Sequence, residues 1–306
     1  MPINIVSSYR PSASPFMRTC ALAVLTLLAT VLAGLGSAHA SEAAAMPALA
    51  RLHGQEIEQL SIKAPDAQGT LVFENGSRAD MEGWSAVIGA FVAPAQQYQL
   101  TQQSAPGSAK AWSLFAYDRP GIGRSEATER PRDGRQIVAD LRELLQQQGH
   151  KPPYVLVGHS LGGLYMQLFA RQYPSEVKGL VLVDSLYPGI IKKPEDFPLY
   201  TRWAKAVFMS RMAAREIDAI HATGEAVLAL PWSAQIPVTR LVNVPKGAGA
   251  IAVDFGVVNA DEATIARVRA LYPGAKTVVL DSDHQIQKAN PEAVVQAIQE
   301  MMISAR

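Results

Sequence analysis

Tyr154-Val155-Leu156-Val157-Gly158-His159-Ser160-Leu161-Gly162-Gly163 decides how the rest of the chain is read. Tyr154 to Val157 is a short apolar run with the character of a buried strand, and it stops at Gly158. Helical spacing follows at once in Leu161, Leu164, Leu168 and Ala170. The pattern is strand, Gly-x-Ser-x-Gly, helix. A serine on so sharp a turn needs a strained backbone, and glycine neighbours let that turn close. Such a turn lifts the Ser160 hydroxyl clear of the sheet. The helix N-terminus behind it presents free N–H groups to a developing oxyanion.

Outward from this stretch the chain alternates. Strands are expected at Thr70 to Phe73, Trp112 to Tyr117, Gly179 to Val183, Val238 to Val244 and Thr277 to Leu280. A helix is expected from Asp133 to Gln148, with Asp133 as N-cap, Ile137, Leu141, Leu144 and Leu145 on one face, and Gly149 ending it. Asn290-Pro291-Glu292 opens a last helix. Strands without polar alternation, interleaved with helices, imply an α/β fold whose mostly parallel sheet is covered on both faces. In such sheets ligands sit beyond the carboxyl ends of the strands. Ser160, Asp184, Asn75-Gly76 and His284 all fall just past a strand end, which points to one site.

Residues 186–236 interrupt the alternation with Pro188, Pro194, Pro198 and Pro231 and with Trp203, Phe208, Met209 and Met212. They read as a small helical cap inserted at the carboxyl edge of the sheet, either a lid and pocket wall or an ordinary packed connection.

The chain has 306 residues, with 28 Lys+Arg against 27 Asp+Glu and one cysteine. Residues 1–40 read as a secretory signal: Arg10 and Arg18 precede the apolar run Ala21 to Leu35, and Ala38-His39-Ala40 closes it. An uncleaved membrane anchor is the alternative. The expected mature chain starts at Ser41, is exported to periplasm or medium, and retains no stable membrane insertion. Residues 41–68 hold a low-complexity leader, Ser41 to Ala50, and the first strands; residues 69–306 hold the main domain with its cap. Without Cys20 the mature chain has no disulfide, thiolate metal site or cysteine nucleophile. Its near-neutral charge gives no field favouring nucleic acid. No metal-ligand spacing and no complete Gly-rich nucleotide motif appears, so no metal and no cofactor is implied.

The chain resembles the α/β-hydrolase superfamily. The resemblance rests on Gly158-His159-Ser160-Leu161-Gly162, on the loop Tyr117-Asp118-Arg119-Pro120-Gly121-Ile122-Gly123-Arg124-Ser125, on Leu182-Val183-Asp184-Ser185, and on Asp283-His284 before Asn290-Pro291-Glu292. It implies Ser160 as nucleophile and His284, in the loop after the last strand, as its base. The orienting acid usually follows the strand at Val238 to Val244. Here Pro245-Lys246-Gly247-Ala248-Gly249 follows, with no acid until Asp254. Asp184 is the other position such enzymes use, and it keeps the order nucleophile, acid, histidine; Asp254 and Asp261 remain alternatives. One oxyanion donor is expected from the Leu161 amide. The other is expected from the loop after the Thr70 strand, at Gly76 or Ser77, where relatives often carry His-Gly.

Among the other histidines, His53 reads as a surface residue, His150 as a helix cap or solvated loop residue, and His159 as packing beside the turn. Asp118-Arg119 reads as a structural ion pair or turn, with substrate contact the alternative. The resemblance implies a serine hydrolase cleaving an ester-like acyl bond of a small molecule through an acyl-enzyme. Lactonase, thioesterase, amidase, C–C hydrolase and haloperoxidase chemistry share the scaffold, and a non-catalytic ligand-binding protein is the alternative of a different kind.

Overall fold

Eight strands form one sheet in the order β1-β2-β4-β3-β5-β6-β7-β8 in a computed structural model of the chain. The structure describes residues 46–92, 112–189, 193–196, 199, 203, 207, 209–243 and 262–304. The strands are β1 (Ala48–Leu52), β2 (Gln55–Ile62), β3 (Thr70–Glu74), β4 (Ser113–Tyr117), β5 (Tyr154–His159), β6 (Val177–Val183), β7 (Val238–Asn243) and β8 (Lys276–Leu280). The β1–β2 and β2–β4 pairs are antiparallel; β4–β3, β3–β5, β5–β6, β6–β7 and β7–β8 are parallel. The carboxyl ends of β3 to β8 therefore share one edge, which is where a ligand site belongs in such a sheet.

Alternation along each central strand feeds two cores. Val72, Phe115, Leu156, Leu180 and Leu182 face one side, among side chains of α1 (Gly134–Gln147) and α2 (Leu161–Gln172). Phe73, Leu114, Val155, Val157, Val181 and Val183 face the other, with Trp84, Ile286, Val294 and Ile298. Both faces are dry, so the strands need no polar alternation. Burying one such Leu or Val fully is worth about 1.5–3 kcal/mol. Helix α1 starts as its sequence predicts: the Asp133 carboxylate accepts the backbone N–H groups of Arg135 and Gln136.

Two further helices lie in the 186–236 insertion, α3 (Arg211–Asp218) and α4 (Ile220–Leu228). Helix α4 buries Ile220, Thr223, Ala226 and Val227 and packs on α1 and α2, as an ordinary helical connection would. Helix α3 sits over the loop after β4, with Met212 against Gly121. Trp203 is 64% exposed and so lies outside the core. Helices α5 (Glu262–Leu271) and α6 (Pro291–Ser304) lie further along the chain, with a single helical turn at Ile286–Ala289 between β8 and α6. Among the described residues no helix is long and apolar enough to cross a membrane.

Two details differ from expectation. Ala48 to Ala50, read with the leader, already belong to β1. His150 is 3% exposed rather than solvated, in hydrogen-bond contact with Ser61 Oγ at 2.8 Å and edge-on to Phe115. The expected signal, residues 1–40, lies outside the described residues.

Burial has a pH consequence. It lowers His159 to about 3, with His284 adding to the effect, and lowers His150 to about 4, with Lys63 adding. In the unfolded chain both titrate near 6.5. Between roughly pH 6.5 and 4 the unfolded chain therefore binds protons that the folded chain refuses, and stability falls as pH drops through that window. Asp118, raised to about 7 by burial, has the opposite sign: the folded chain holds a proton there that the unfolded chain has lost. The variant His150→Asn isolates the contribution of His150. Its unfolding free energy from urea denaturation should change less steeply between pH 6.5 and 4 than that of the wild type, by up to about 1.4 kcal/mol per pH unit. Equal slopes would remove His150 from the acid response.

Candidate active site

Ser160 is the N-cap of α2, with φ 52° and ψ −120°, a conformation that a residue with a side chain holds only under constraint. The constraints are visible. The Ser160 N–H donates to the Val183 carbonyl at 3.1 Å, and the Ser160 carbonyl accepts the Gly163 and Leu186 N–H groups at 3.1 and 3.0 Å. The turn also needs its glycines. A Cβ on Gly158 would lie 2.7 Å from the Gly163 Cα, and one on Gly162 would overlap the carbonyls of Glu74 and Asn75. Helix α2 and the end of β3 thus meet backbone to backbone, which sets Asn75 and Gly76 against the serine.

Asp184 follows β6, itself at φ 38°. Its N–H donates to the Leu241 carbonyl at 2.9 Å, tying the turn to β7. Its carboxylate is 3% exposed and has two partners. Oδ1 accepts the Asn243 N–H at 3.3 Å, and Oδ2 accepts the His284 Nδ1–H at 2.8 Å. His284 is 100 residues downstream of Asp184, after β8. Its side chain is 35% exposed, open enough to meet a solute. The His284 loop is pinned from behind. His159 Nε2–H donates to the His284 carbonyl at 2.9 Å, with the two rings 4.7 Å apart. Asn243 Oδ1 accepts the Ser282 N–H at 3.0 Å, and Asn290 Nδ2 donates to Ser282 Oγ at 2.7 Å. Asp184 is placed on His284; the alternative acids Asp254 and Asp261 lie outside the described residues.

Leu161 opens α2, so its N–H has no partner within the helix. Gly76 packs against the serine. A Cβ there would sit 3.3 Å from Ser160 Cβ and 2.7 Å from His159 Nδ1. Ser77 follows, its hydroxyl oxygen buried without a hydrogen-bond partner among the described residues. Gly76→Ala should therefore push the loop off the serine. We expect ester turnover, once measured for the wild type, to drop at least ~100-fold, the scale of losing one oxyanion donor. Retention of more than a tenth of it would show that the loop can yield.

Sequence reading did not foresee what lies beneath this loop. Glu74, Arg119 and Glu216 are each 0–1% exposed and form a buried ionic network with Arg132. The four residues come from β3, the loops after β4 and before α1, and α3, with directly bonded pairs up to 97 positions apart, so no local pattern marks them. Arg119 is thus a structural ion-pair residue. Burial raises Glu74 despite Arg119, whereas Glu216, where burial alone would also raise it, is held below the usual carboxylate range by Arg119 and Arg132.

Residues 95–258, more than half of the chain, match the family described as alpha/beta hydrolase fold. The chain belongs to that family. Among curated relatives of this α/β hydrolase, a (lyso)-N-acylphosphatidylethanolamine lipase of Mus musculus is 34% identical over 100 residues, covering 31% of this chain and 29% of the lipase. A soluble epoxide hydrolase of Corynebacterium sp. (strain C12) is 33% identical over 94 residues, covering 31% of this chain and 32% of that enzyme. The chain thus spans about a third of the length of these relatives. Among solved structures, mouse alpha/beta hydrolase domain-containing protein 10 superposes with a TM-score of 0.60 at 16% identity, over 86% of this chain and all of the other, a likeness of fold.

Proposed function

We propose that the chain is an exported serine hydrolase that cleaves ester-like acyl bonds of small molecules through an acyl-enzyme. The observation that carries this reading is the 2.8 Å contact of His284 with buried Asp184, beside a serine held at φ 52° with Gly76 against its Cβ. Asp184 fixes the His284 tautomer with the proton on Nδ1, leaving Nε2 as the base. As Ser160 Oγ attacks the substrate carbonyl, its proton passes to His284 Nε2 and the carbonyl π pair moves onto oxygen. The Leu161 amide and the Gly76–Ser77 loop bind that oxyanion. On collapse, the C–O bond to the leaving group breaks and the imidazolium protonates the departing alkoxide. Water, deprotonated by the same nitrogen, then attacks the acyl-enzyme and releases Ser160 and the acid.

The absence of an acid directly after β7, the one feature favouring a binding protein on a retired scaffold, loses its weight once Asp184 serves His284. Chromogenic esters of increasing acyl length test the reading. Turnover of at least one is expected and should vanish in Ser160→Ala; hydrolysis that survives this substitution contradicts it. Export rests on the pattern of residues 1–40. It predicts a secreted or periplasmic form whose first residue is Ser41 by N-terminal sequencing, and a cytoplasmic chain retaining Met1 or Met17 would refute it.

A further inference from the structure

We propose that Arg119 is a positioning residue for the oxyanion loop, and that Glu216 makes its grip depend on helix α3 of the cap. This rests on the serine-hydrolase reading above.

Arg119 has five N–H donors in a rigid fork; four of them have a hydrogen-bond acceptor and the fifth lies on the Nη2 side that faces Glu216 as an ion pair. Nε donates to Glu216 at 3.1 Å. Nη1 donates to Glu74 Oε1 at 2.5 Å and to the Asn75 carbonyl at 2.8 Å. Nη2 donates to the Gly76 carbonyl at 2.8 Å and pairs with Glu216 Oε2 at 3.1 Å. Two consecutive carbonyls of the loop are thereby turned onto one guanidinium. In a planar trans peptide the N–H points opposite to the C=O. Holding the Asn75 and Gly76 carbonyls on Arg119 therefore directs the Gly76 and Ser77 N–H groups away from it. With Gly76 already against Ser160 Cβ, the Ser77 amide is the loop donor aimed at the oxyanion.

Stability alone gives little reason for this network, because buried charges are costly to desolvate and apolar side chains of similar volume usually serve as well. Geometry gives one. Glu216 is the member contributed by the cap. It accepts from Arg119 and from Arg132, which holds it from the loop before α1. Arg119 also lies 5.4 Å from the Tyr165 ring centroid, on the helix that follows Ser160. Seating α3 thus completes the fork that orients the loop, and an unseated α3 leaves the fork one arm short.

Kinetics of Glu216→Gln and Arg119→Lys, each checked for folding by circular dichroism, test the proposal. For either folded variant the expected result is kcat reduced at least tenfold with KM within threefold. Affinity for a trifluoromethyl ketone, whose hemiketal oxyanion needs the same donors, should fall by a matching factor. A general structural fault would not produce that match. Folded variants with kcat and ketone affinity within threefold of wild type overturn the proposal. Should neither variant fold, a crystal structure of wild-type protein phosphonylated on Ser160 decides. A phosphoryl oxygen on the Ser77 N–H, with Arg119 still on both carbonyls, supports the proposal; a phosphoryl oxygen bound elsewhere overturns it. Wild-type protein that takes no phosphonate at Ser160 defeats the serine-hydrolase reading itself, and this proposal with it.

Discussion

Asp184→Asn should lower kcat about ten-thousandfold at neutral pH while leaving the fold in place. The amide is nearly isosteric and can still accept the Asn243 N–H. It cannot hold the imidazole as a carboxylate does. With its NH₂ toward His284 Nδ1, the ring is driven to the tautomer that bears hydrogen on Nε2, and that nitrogen can no longer take the Ser160 proton. It also offers no negative charge to the imidazolium. Asp184 is 3% exposed, so solvent screens little of this interaction. Asp254→Asn and Asp261→Asn, made in parallel, are expected to stay within threefold of wild type. Steady-state ester hydrolysis on the three variants checks the assignment, and a larger loss at Asp254 or Asp261 than at Asp184 would transfer the role.

Arg119→Met should be the most destabilising of the single substitutions discussed, at about 3–5 kcal/mol. It leaves Glu74 and Glu216 buried with Arg132 as the remaining cation of the network, and it strips two loop carbonyls of their donor. Arg211→Met is the control. Its pair with Glu129 has side chains 71% and 75% exposed, and such a pair is worth no more than about 1 kcal/mol. Urea denaturation of the two variants separates the cases. Similar midpoints would mean that water or a rearranged Arg132 relieves the buried carboxylates.

How much could be read without coordinates follows from what is local. The central strands were legible because both of their faces are dry, so Val155-Leu156-Val157 and Leu180-Val181-Leu182-Val183 run without polar interruption. Ser160 was legible because strand, glycine and helix signals fall within ten residues. His284 and Asp184 needed the family pattern, since nothing near either residue marks the pair they form. The β1–β2 hairpin was blurred because Ala48-Leu49-Ala50 continues an alanine-rich leader, and its pairing with β4 is long-range. The Glu74–Arg119–Glu216–Arg132 network was invisible for a different reason. Composition places charged residues on the surface, and only the tertiary fold reveals four of them enclosed together.

The account stands on Ser160 as a nucleophile activated by His284. Treatment with a fluorophosphonate, followed by mass spectrometry of the digested protein, tests that most directly. The account predicts one adduct, on Ser160, formed quickly by wild-type protein and at least ~1,000-fold more slowly by His284→Ala. An unmodified Ser160 in folded wild-type protein, or equal labelling rates with and without His284, would contradict it.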